Sequence, residues 1–529
     1  MSLSLNRSDL IQVGATNNNC LTLIKEAAFH LEKGEQNDDE DIVIDNKSKE
    51  EKRKKDEKKK DEKNKRNKLL VTDKVVIGSQ DGTLTVIEKK KNSIAILSKS
   101  LPGPPITSVK LGGTTATHDR IFFSADNFIR GFFKKGKQFF GFETNFTDAI
   151  QCMFIYGLEL LVSSNNVLTH YHDTQEVNSY ICGEPITDII CLPKKEGSWV
   201  GGRQLTPVIA CEDKKIKVLC AGQLIYLIKI NDVPTILRLY MNDGGYNKEK
   251  VLYGTRNGTI GLLWLPENDY TLLWEINTTS TSQITSFCFY NLFGGSYPDL
   301  ILGKDDGMIE MYTLDADTIN LRQLYATNET ITGIVCGRVN NQNYDEIIVS
   351  TYTGWIFSLS TEPVAGETGG NLPHVPQMDI RIEELEKEVK ILEESVVEHR
   401  QKFEFANPAD DESDIYAYEL EVNDKLILNN ELASYTFTIE LIIPIEFYVI
   451  QTTLDLMLID VDKNQSILSI TEPERFPEEG NKLVAFYRCQ PNTKKIQFCV
   501  NTFEGCHGDI KVYIAPSRIP RTIQVSDFI

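Results

Sequence analysis

Polar and apolar positions repeat in one pattern along the first 360 residues. An apolar run leads to a small residue and a polar turn, and a second run follows in which apolar and polar positions alternate. The pattern is clearest at VVIGSQDGTLTVI (75–87), VLYGTRNGTIGLLWL (251–265), ILGKDDGMIEMY (301–312) and IIVSTYTGWIFSL (347–359). Weaker copies begin at Ile121, Leu160 and Val208. Alternation with a period of two predicts β-strands, and the Gly-containing turns predict tight hairpins.

The spacing of these turns predicts the architecture. Successive turns are separated by 45, 39, 48, 44, 49 and 47 residues, a period that suits repeats of four short strands each. Seven copies predict a seven-bladed β-propeller over residues 1–360. The Gly-His and Trp-Asp signature of standard WD40 repeats does not occur. The aligned turn residues are Gly82, Asn127, Asn166, Lys214, Gly258, Gly307 and Gly354.

Two segments near the start of the chain do not follow the repeat. The run SLSLNRSDLIQV near the start is a further predicted strand, one that could complete the last blade and close the ring. Residues 35–68 are highly charged, and 47–68 carry 13 basic and 6 acidic residues. Such composition cannot bury enough apolar surface to fold, so a disordered insertion in the first blade is predicted. A nuclear-localisation or anion-binding patch is the alternative.

One helix is predicted after the propeller. Residues 361–377 contain three Pro and three Gly and are predicted to be a linker. Within 378–404, positions spaced alternately by four and three residues lie on one helix face, which predicts a coiled-coil helix. A helix lying on the surface of its own chain is the alternative, and the flanking charges leave self-pairing and hetero-pairing both open. The seam residues are Met378, Ile382, Leu385, Val389, Leu392, Val396, His399 and Phe403.

The last part of the chain returns to strands. Residues 405–423 are polar and acidic and are predicted to form a second linker. About eight short alternating runs follow in 424–516, which predicts a β-sandwich without an immunoglobulin Cys…Trp…Cys pattern. Residues 517–529 are interpreted as the start of another segment that stops. The predicted fold is therefore mainly β: a propeller, a short coiled-coil helix and a sandwich.

Composition narrows the classes of function. The formal net charge of −20 argues against a nucleic-acid partner. The eleven cysteines are scattered without a C-x-x-C motif, which favours reduced cytosolic thiols. The chain start lacks the pattern of a signal peptide. The longest apolar stretch, Leu441–Ile450, contains Pro444 and Glu446 and is shorter than the ~20 residues that a membrane span needs, so no transmembrane segment is predicted.

The adjacent Asp305 and Asp306 are the first candidate for chemistry. If Gly307 is placed at position 6 of a calcium loop, Lys304 and Leu302 fall where oxygen ligands are required. Two carboxylates for acid–base catalysis would need opposed environments inside a cleft, whereas a hairpin tip is predicted to keep both solvated. The pair is therefore interpreted as a turn.

Other candidates are no stronger. His170 and His172 can share one strand face, but no third metal ligand lies nearby in the sequence. Phosphate-binding, serine-hydrolase and zinc-protease motifs are absent from the sequence. We therefore predict a non-enzymatic protein without metal or cofactor. A propeller enzyme or small-ligand binder, with a site assembled from loops at the mouth of the ring, is an alternative.

Several segments carry a family resemblance. They are NRSDLIQVG (6–14), SLPGPPITSVKLGG (100–113), IRGFFKKGKQFFGFETNFTDAI (129–150), YDEIIVSTYTGWIFSLSTEP (344–363), DLMLIDVDKN (455–464) and AFYRCQPNTKKI (485–496). They resemble the family of the seventh Bardet–Biedl syndrome protein, a propeller subunit of the BBSome. The resemblance covers nearly the whole chain outside 35–68, and the sandwich resembles the appendage (ear) domain of clathrin adaptors.

The resemblance implies a function and partners. It implies an octameric coat-like complex that moves membrane proteins into and out of cilia. The coiled coil would pair with the second Bardet–Biedl syndrome protein, and the ninth would lie close by. A small Arf-like GTPase would recruit the complex, with cytoplasm, cilium, basal body and peripheral ciliary membrane as locations. Family members continue into a platform and a helical region, whereas this chain stops at Ile529. A vesicle-coat or other trafficking propeller outside cilia is the alternative.

Overall fold

The computed structural model divides into two units, Met1–Glu362 and Pro363–Ile529. It describes residues 4–25; 72–362 except 91–92, 113–119, 193–204, 243–244, 267–268, 296 and 316–317; the five positions 387, 390, 391, 394 and 395; and 421–528 except 430–432, 462–464, 472–482, 504, 506 and 518–522. The predicted insertion at 35–68 and both predicted linkers, apart from residues 361, 362 and 421–423, lie outside the described residues.

The described part of the first unit consists of seven four-stranded antiparallel sheets. Blade one has β2 (Leu21–Ile24), β3 (Lys74–Gly78), β4 (Leu84–Lys90) and β5 (Ser93–Lys99). Blade two has β6 (Ile106–Gly112), β7 (Arg120–Ala125), β8 (Phe128–Phe133) and β9 (Gln138–Glu143). Blade three has β10 (Cys152–Tyr156), β11 (Glu159–Ser164), β12 (Val167–His172) and β13 (Gln175–Ile181).

The remaining blades follow the same order. Blade four has β14 (Ile186–Leu192), β15 (Thr206–Cys211), β16 (Lys215–Cys220) and β17 (Gln223–Lys229). Blade five has β18 (Pro234–Asn242), β19 (Gly245–Thr255), β20 (Thr259–Trp264) and β21 (Thr271–Asn277). Blade six has β22 (Ile284–Tyr290), β23 (Asp299–Lys304), β24 (Met308–Asp315) and β25 (Thr318–Ala326). Blade seven has β26 (Ile331–Gly337), β27 (Glu346–Thr351), β28 (Trp355–Ser360) and β1 (Asn6–Gln12).

The blades form a closed ring. The first strands of neighbouring blades are in contact all the way round, and β26 of the last blade contacts β2 of the first. Strand β1 pairs antiparallel with β28, from Asn6 opposite Ser360 to Gln12 opposite Trp355. The N-terminal strand therefore completes the last blade, as the sequence suggested. The predicted mainly β fold with a propeller is confirmed.

Apolar packing follows the blade boundaries. Each of seven core clusters among the described residues combines side chains from two neighbouring blades. Val76 of blade one packs with Ile121 of blade two, for example, and both are fully buried. The alternating apolar runs thus pack blade against blade.

The seven aligned turns join the second and third strands of the seven blades. In six blades the amide after the outermost strand donates to the carbonyl of the aligned turn residue, as in Thr327 to Gly307 (2.8 Å) and Val13 to Gly354 (2.9 Å). Asn127 and Asn166 follow the positive-φ residues Asp126 and Asn165, whereas the other five aligned positions have positive φ themselves. The aligned positions are structurally equivalent.

The described part of the second unit contains two sheets. One has the order β29-β30-β35-β32 and the other β33-β34-β31-β36-β37. A buried core of both sheets includes stacked rings, with Phe437 and Phe498 at 4.9 Å and Tyr448 and Tyr487 at 4.5 Å between centroids. The strands are β29 (Val422–Asn429), β30 (Ser434–Leu441), β31 (Ile445–Thr452), β32 (Leu456–Val461), β33 (Gln465–Thr471), β34 (Leu483–Cys489), β35 (Lys495–Thr502), β36 (Ile510–Pro516) and β37 (Gln524–Phe528).

The structure differs from the sequence interpretation at the C-terminal end. Residues 517–529 were expected to begin a new segment, but β37 pairs with β36 from Ile510 opposite Phe528 to Ile514 opposite Gln524. A five-residue edge strand needs its neighbour to be recognised, because its own alternation is too short to be distinctive.

Candidate functional site

The predicted coiled-coil seam is the first candidate site. Met378, Ile382, Leu385, Val389, Leu392, Val396, His399 and Phe403 all lie outside the described residues. Five residues of this segment are described as helical, and all five lie off the seam: Lys387, Lys390, Ile391, Glu394 and Ser395. The seam therefore stays a prediction.

The KDDG turn is less exposed than predicted. Asp305 and Asp306 are both half-buried. One carboxylate oxygen of Asp306 accepts hydrogen bonds from the hydroxyls of Ser280 and Ser282 (2.6 Å for Ser282), and the other accepts from the amide of Met308 (2.9 Å). Burial by itself would raise the pKa of Asp306, but these hydrogen bonds hold it below its usual value. The expectation of two solvated carboxylates is wrong, and Asp306 ties the turn to the segment that connects blade five to blade six.

A buried ion pair lies beside this turn. Lys304 Nζ is 3.2 Å from Glu310 Oε1, and both side chains are fully buried. Lys304 Nζ also donates to Thr278 Oγ1 and to the carbonyl of Ser280, each at 2.9 Å, and Glu310 accepts from the hydroxyl of Tyr312. Removing one partner of such a pair leaves a buried charge without compensation, at a cost of about 3–5 kcal/mol. The network joins blades five and six and has a structural role.

The first strands of the blades line a central cavity of about 440 Å³. Lys25, Lys110 and Arg238 are its charged lining residues. Burial lowers the pKa of Lys110, and the nearby charge of Arg238 lowers it further. The described lining contains no histidine and no carboxylate, so it does not supply the acid–base pair that the enzyme alternative requires.

The buried Asp188 holds Arg238, one of the residues that line this cavity. Asp188 Oδ2 lies 3.3 Å from Arg238 Nη1 and accepts from the amide of Leu237 (2.8 Å), while Oδ1 accepts from the amide of Ile189 (2.9 Å). Arg238 Nη2 reaches across the ring to Asn19 Oδ1 at 2.9 Å. These bonds fix the inner strands of separate blades to one another.

The two histidines meet a partner that the sequence does not reveal. Glu159 Oε2 lies 2.7 Å from His170 Nε2, and Oε1 lies 3.1 Å from His172 Nδ1. Glu159 faces His172 in the β11–β12 register, which explains the convergence. Among the described residues no group of three or more His, Cys, Asp or Glu could hold a metal ion. The cluster therefore connects two strands of one blade.

Two family models match the chain. The model described as "BBS7 beta-propeller" matches residues 63–361, and the model described as "BBS7 GAE domain" matches residues 419–528. The chain belongs to the BBS7 family. The first match covers more than half of this family member and ends at the last residues of blade seven, and the second covers its sandwich, including β37. The resemblance predicted from the sequence is confirmed.

Curated relatives agree with the family models. The "BBSome complex member bbs-7" of Caenorhabditis elegans is 35% identical over 461 residues, or 86% of this chain and 63% of the relative. The "BBSome complex member BBS7" of Mus musculus is 35% identical over 463 residues, or 86% of this chain and 64% of the relative. This BBS7-family chain thus spans a little less than two thirds of the length of these relatives.

Solved structures that match part of this chain include the following two. The crystal structure of BBS1N in complex with ARL6DN, soaked with mercury, has a TM-score of 0.46 at 13% identity, and the match covers 70% of this chain and 100% of that one. Saccharomyces cerevisiae Sqt1 has a TM-score of 0.40 at 12% identity, and the match covers 54% of this chain and 92% of that one.

The part of the chain that the structure describes contains no helix with the length and apolar character of a membrane span.

Proposed function

We propose that this chain is a non-enzymatic scaffold subunit of a BBSome-like coat complex that traffics membrane proteins to and from cilia. Family membership carries the proposal, since BBS7 models match both the propeller and the sandwich. The relatives from worm and mouse are both named as BBSome complex members. The cavity supports a scaffold role. Arg238 is paired with Asp188 and helps to fix the strands, and the described lining contains no carboxylate or histidine that could act in catalysis.

The proposed partners are other BBSome subunits. The second and ninth Bardet–Biedl syndrome proteins are the most direct ones, and an Arf-like GTPase and ciliary membrane cargo are reached through the complex. We assign the pairing with another subunit to the seam of the helix at 378–404. The 4–3 spacing of its apolar positions supports this assignment, because it is the spacing of the face that a second helix covers in a coiled coil.

Disruption of the seam tests the assignment. The double substitution Leu385→Glu and Leu392→Glu places two charges in the predicted seam. Co-purification with the second Bardet–Biedl syndrome protein should fall at least tenfold, because each buried charge costs several kcal/mol. The matched control is Lys387→Glu with Ile391→Glu, since both positions are off the seam and exposed. Unchanged co-purification of the seam variant, or equal loss in the control, contradicts the assignment.

Localisation tests the wider function. We expect the tagged chain in cytoplasm and at the basal body, the cilium and its peripheral membrane. Fluorescence imaging in ciliated cells, with the seam variant beside the parent chain, makes the comparison. Accumulation on non-ciliary vesicles alone would instead support a trafficking propeller outside cilia.

A further inference from the structure

Two cysteines from neighbouring blades meet in the core between blades three and four. Cys182 follows β13 and Cys211 ends β15, and their Sγ atoms are 3.3 Å apart. Cys182 is 2% exposed and Cys211 is 0% exposed. The two residues are 29 positions apart, so no local motif announces the pair.

A lysine lies against one of the two sulfur atoms. Lys217 Nζ is 3.1 Å from Cys182 Sγ and 3.6 Å from a carboxylate oxygen of Asp213. An ammonium group at this distance stabilises a thiolate and makes the sulfur more reactive at neutral pH. Lys217 is itself 6% exposed, which strengthens the interaction by excluding water.

The two thiols are electronically unequal. The hydrogen bond with the Cys211 thiol lowers the pKa of Cys182 despite burial, and Lys217 adds to the effect. The same hydrogen bond and burial raise the pKa of Cys211. In contrast, burial raises the pKa of Cys20 and Cys152 to about 12. Because Lys217 contacts the sulfur of Cys182, Cys182 is the residue of the pair at which a thiolate is favoured.

A small cavity lies in the same core as the pair, although its lining residues do not include either cysteine. Its volume is about 110 Å³, several times the ~10–15 Å³ that one water molecule requires. Leu161, Leu168, Leu205 and Leu219 line it, and these residues belong to the same core cluster as both cysteines. A molecule of the size of hydrogen peroxide fits this space.

We propose that Cys182 and Cys211 form a peroxide-sensitive modification site, in which Cys182 is the attacking thiolate, Cys211 the resolving thiol and Lys217 the residue that positions and stabilises the thiolate. Its product is a disulfide that joins blade three to blade four. The reagent class is hydrogen peroxide or a small organic hydroperoxide.

The chemistry proceeds in two balanced steps. The Cys182 thiolate attacks one peroxide oxygen, so that an S–O bond forms, the O–O bond breaks, and the departing hydroxide takes a proton to become water. Cys211 then attacks the sulfenic sulfur, so that the S–S bond forms and the S–O bond breaks, and the hydroxyl leaves as water with the proton of Cys211. Overall two thiols and one hydrogen peroxide give one disulfide and two waters. A dithiol reductant reverses the oxidation.

Peroxide treatment of the purified full chain tests the site. After brief exposure at pH 7 and blocking of free thiols, non-reducing digestion and mass spectrometry should find the Cys182 peptide linked to the Cys211 peptide. Dithiothreitol should release the link. The oxidation rate should level off at a lower pH than for an ordinary thiol, because the pKa of Cys182 is lowered. The oxidised chain should melt at a higher temperature, because the crosslink restricts the unfolded chain.

Matched variants separate this site from general oxidation. Lys217→Met should slow disulfide formation about threefold to tenfold at pH 7 and move the pH profile upward, because less thiolate is present although each thiolate is more nucleophilic. Lys215→Met is the control. Lys215 contacts the same Asp213 (2.8 Å), whereas Lys217 is the lysine that contacts sulfur, so this variant should leave the rate unchanged.

Three results would overturn the proposal. The first is the absence of the Cys182–Cys211 peptide after peroxide treatment. The second is a wild-type rate in Lys217→Met together with an unchanged pH profile. The third is equal oxidation of Cys288 and Cys336. These two cysteines lie in the core between blades six and seven, where Lys25 acts through its charge and not through a hydrogen bond. Since the wild-type pH profile needs no variant, the test stands even if Lys217→Met folds poorly.

Discussion

At the scale of single residues, Asp306 shows how a turn residue acquires a second role. Its side chain accepts from the amide of Met308, as a turn aspartate commonly does. It also accepts from Ser280 and Ser282, which lie 26 and 24 residues earlier in the chain. A hydrogen bond to a charged group contributes about 1.5–3 kcal/mol. The turn type could be predicted from Asp-Gly, but the serine partners could not, since they lie in the segment that connects blade five to blade six.

Position 307 requires glycine for two reasons, its backbone conformation and the close approach of neighbouring atoms. Its φ is +89°, and a Cβ atom at this position would lie 2.5 Å from the carbonyl oxygen of Thr327. Gly307→Ala should therefore lower the free energy of unfolding by about 2–4 kcal/mol. Urea denaturation measures the change. Gly295→Ala is the matched control, because its nearest neighbour would lie 3.6 Å away, and it should change stability little.

Glu346 predicts a pH dependence of stability. Burial raises its pKa to about 7, although Asn340 donates hydrogen bonds to its carboxylate at 3.0 and 3.1 Å. Between about pH 7 and the unfolded value of 4.5, the folded chain binds a proton that the unfolded chain does not. The contribution of this group to stability therefore increases as the pH falls through that window, and it decreases as the pH rises towards 7.

The difference between Glu346→Gln and the parent chain isolates this effect. The variant should lose this part of the pH slope when the free energy of unfolding is measured by urea titration from pH 8 to pH 5. Glu362→Gln, at an exposed position, should retain the parent slope. Parallel slopes in the parent chain and in Glu346→Gln would contradict the assignment.

At the scale of elements, the propeller depends on the strand that closes it. β1 supplies the outermost strand of blade seven, and Leu10 packs in the cluster that joins blades seven and one. The sequence predicted this strand from alternation, although its partner β28 is about 350 residues away. Ring closure brings the start of the chain beside β28, and without β1 blade seven would have three strands where every other blade has four.

Removal of residues 1–12 should open this closure. We expect a lower melting temperature and concentration-dependent association, because β28 then presents an unpaired edge. Scanning calorimetry and size-exclusion chromatography measure both effects. A control that lacks only residues 1–3 keeps β1 and should match the parent chain. Equal melting temperatures of the two truncations would show that β1 does not stabilise the ring.

At the scale of the whole molecule, the two units have separate cores. Every residue of the seven clusters between blades belongs to Met1–Glu362, and every residue of the sandwich cluster belongs to Pro363–Ile529. A protein built in this way can present a folded module on each side of a connecting segment, which suits the proposed scaffold role.

The separate cores predict separate folding. Residues 1–362 and residues 419–529, produced as individual fragments, should each unfold cooperatively, because each keeps its full apolar core. Calorimetry of the fragments should reproduce the transitions of the full chain to within a few degrees. Loss of cooperative unfolding in either fragment, with the other one intact, would identify the unit that depends on the rest of the chain.

Sequence pattern determined the local and repeating features. Alternation located the strands, and the aligned turns gave the number of blades. Gly307 was correctly assigned to backbone geometry. All of these features depend on neighbours within a few residues. Contacts between blades required the folded ring. Asp306 with Ser280, Glu159 with the two histidines, and Cys182 with Cys211 join residues from different strands or blades, and their distances follow from strand register and ring closure, which no local pattern specifies.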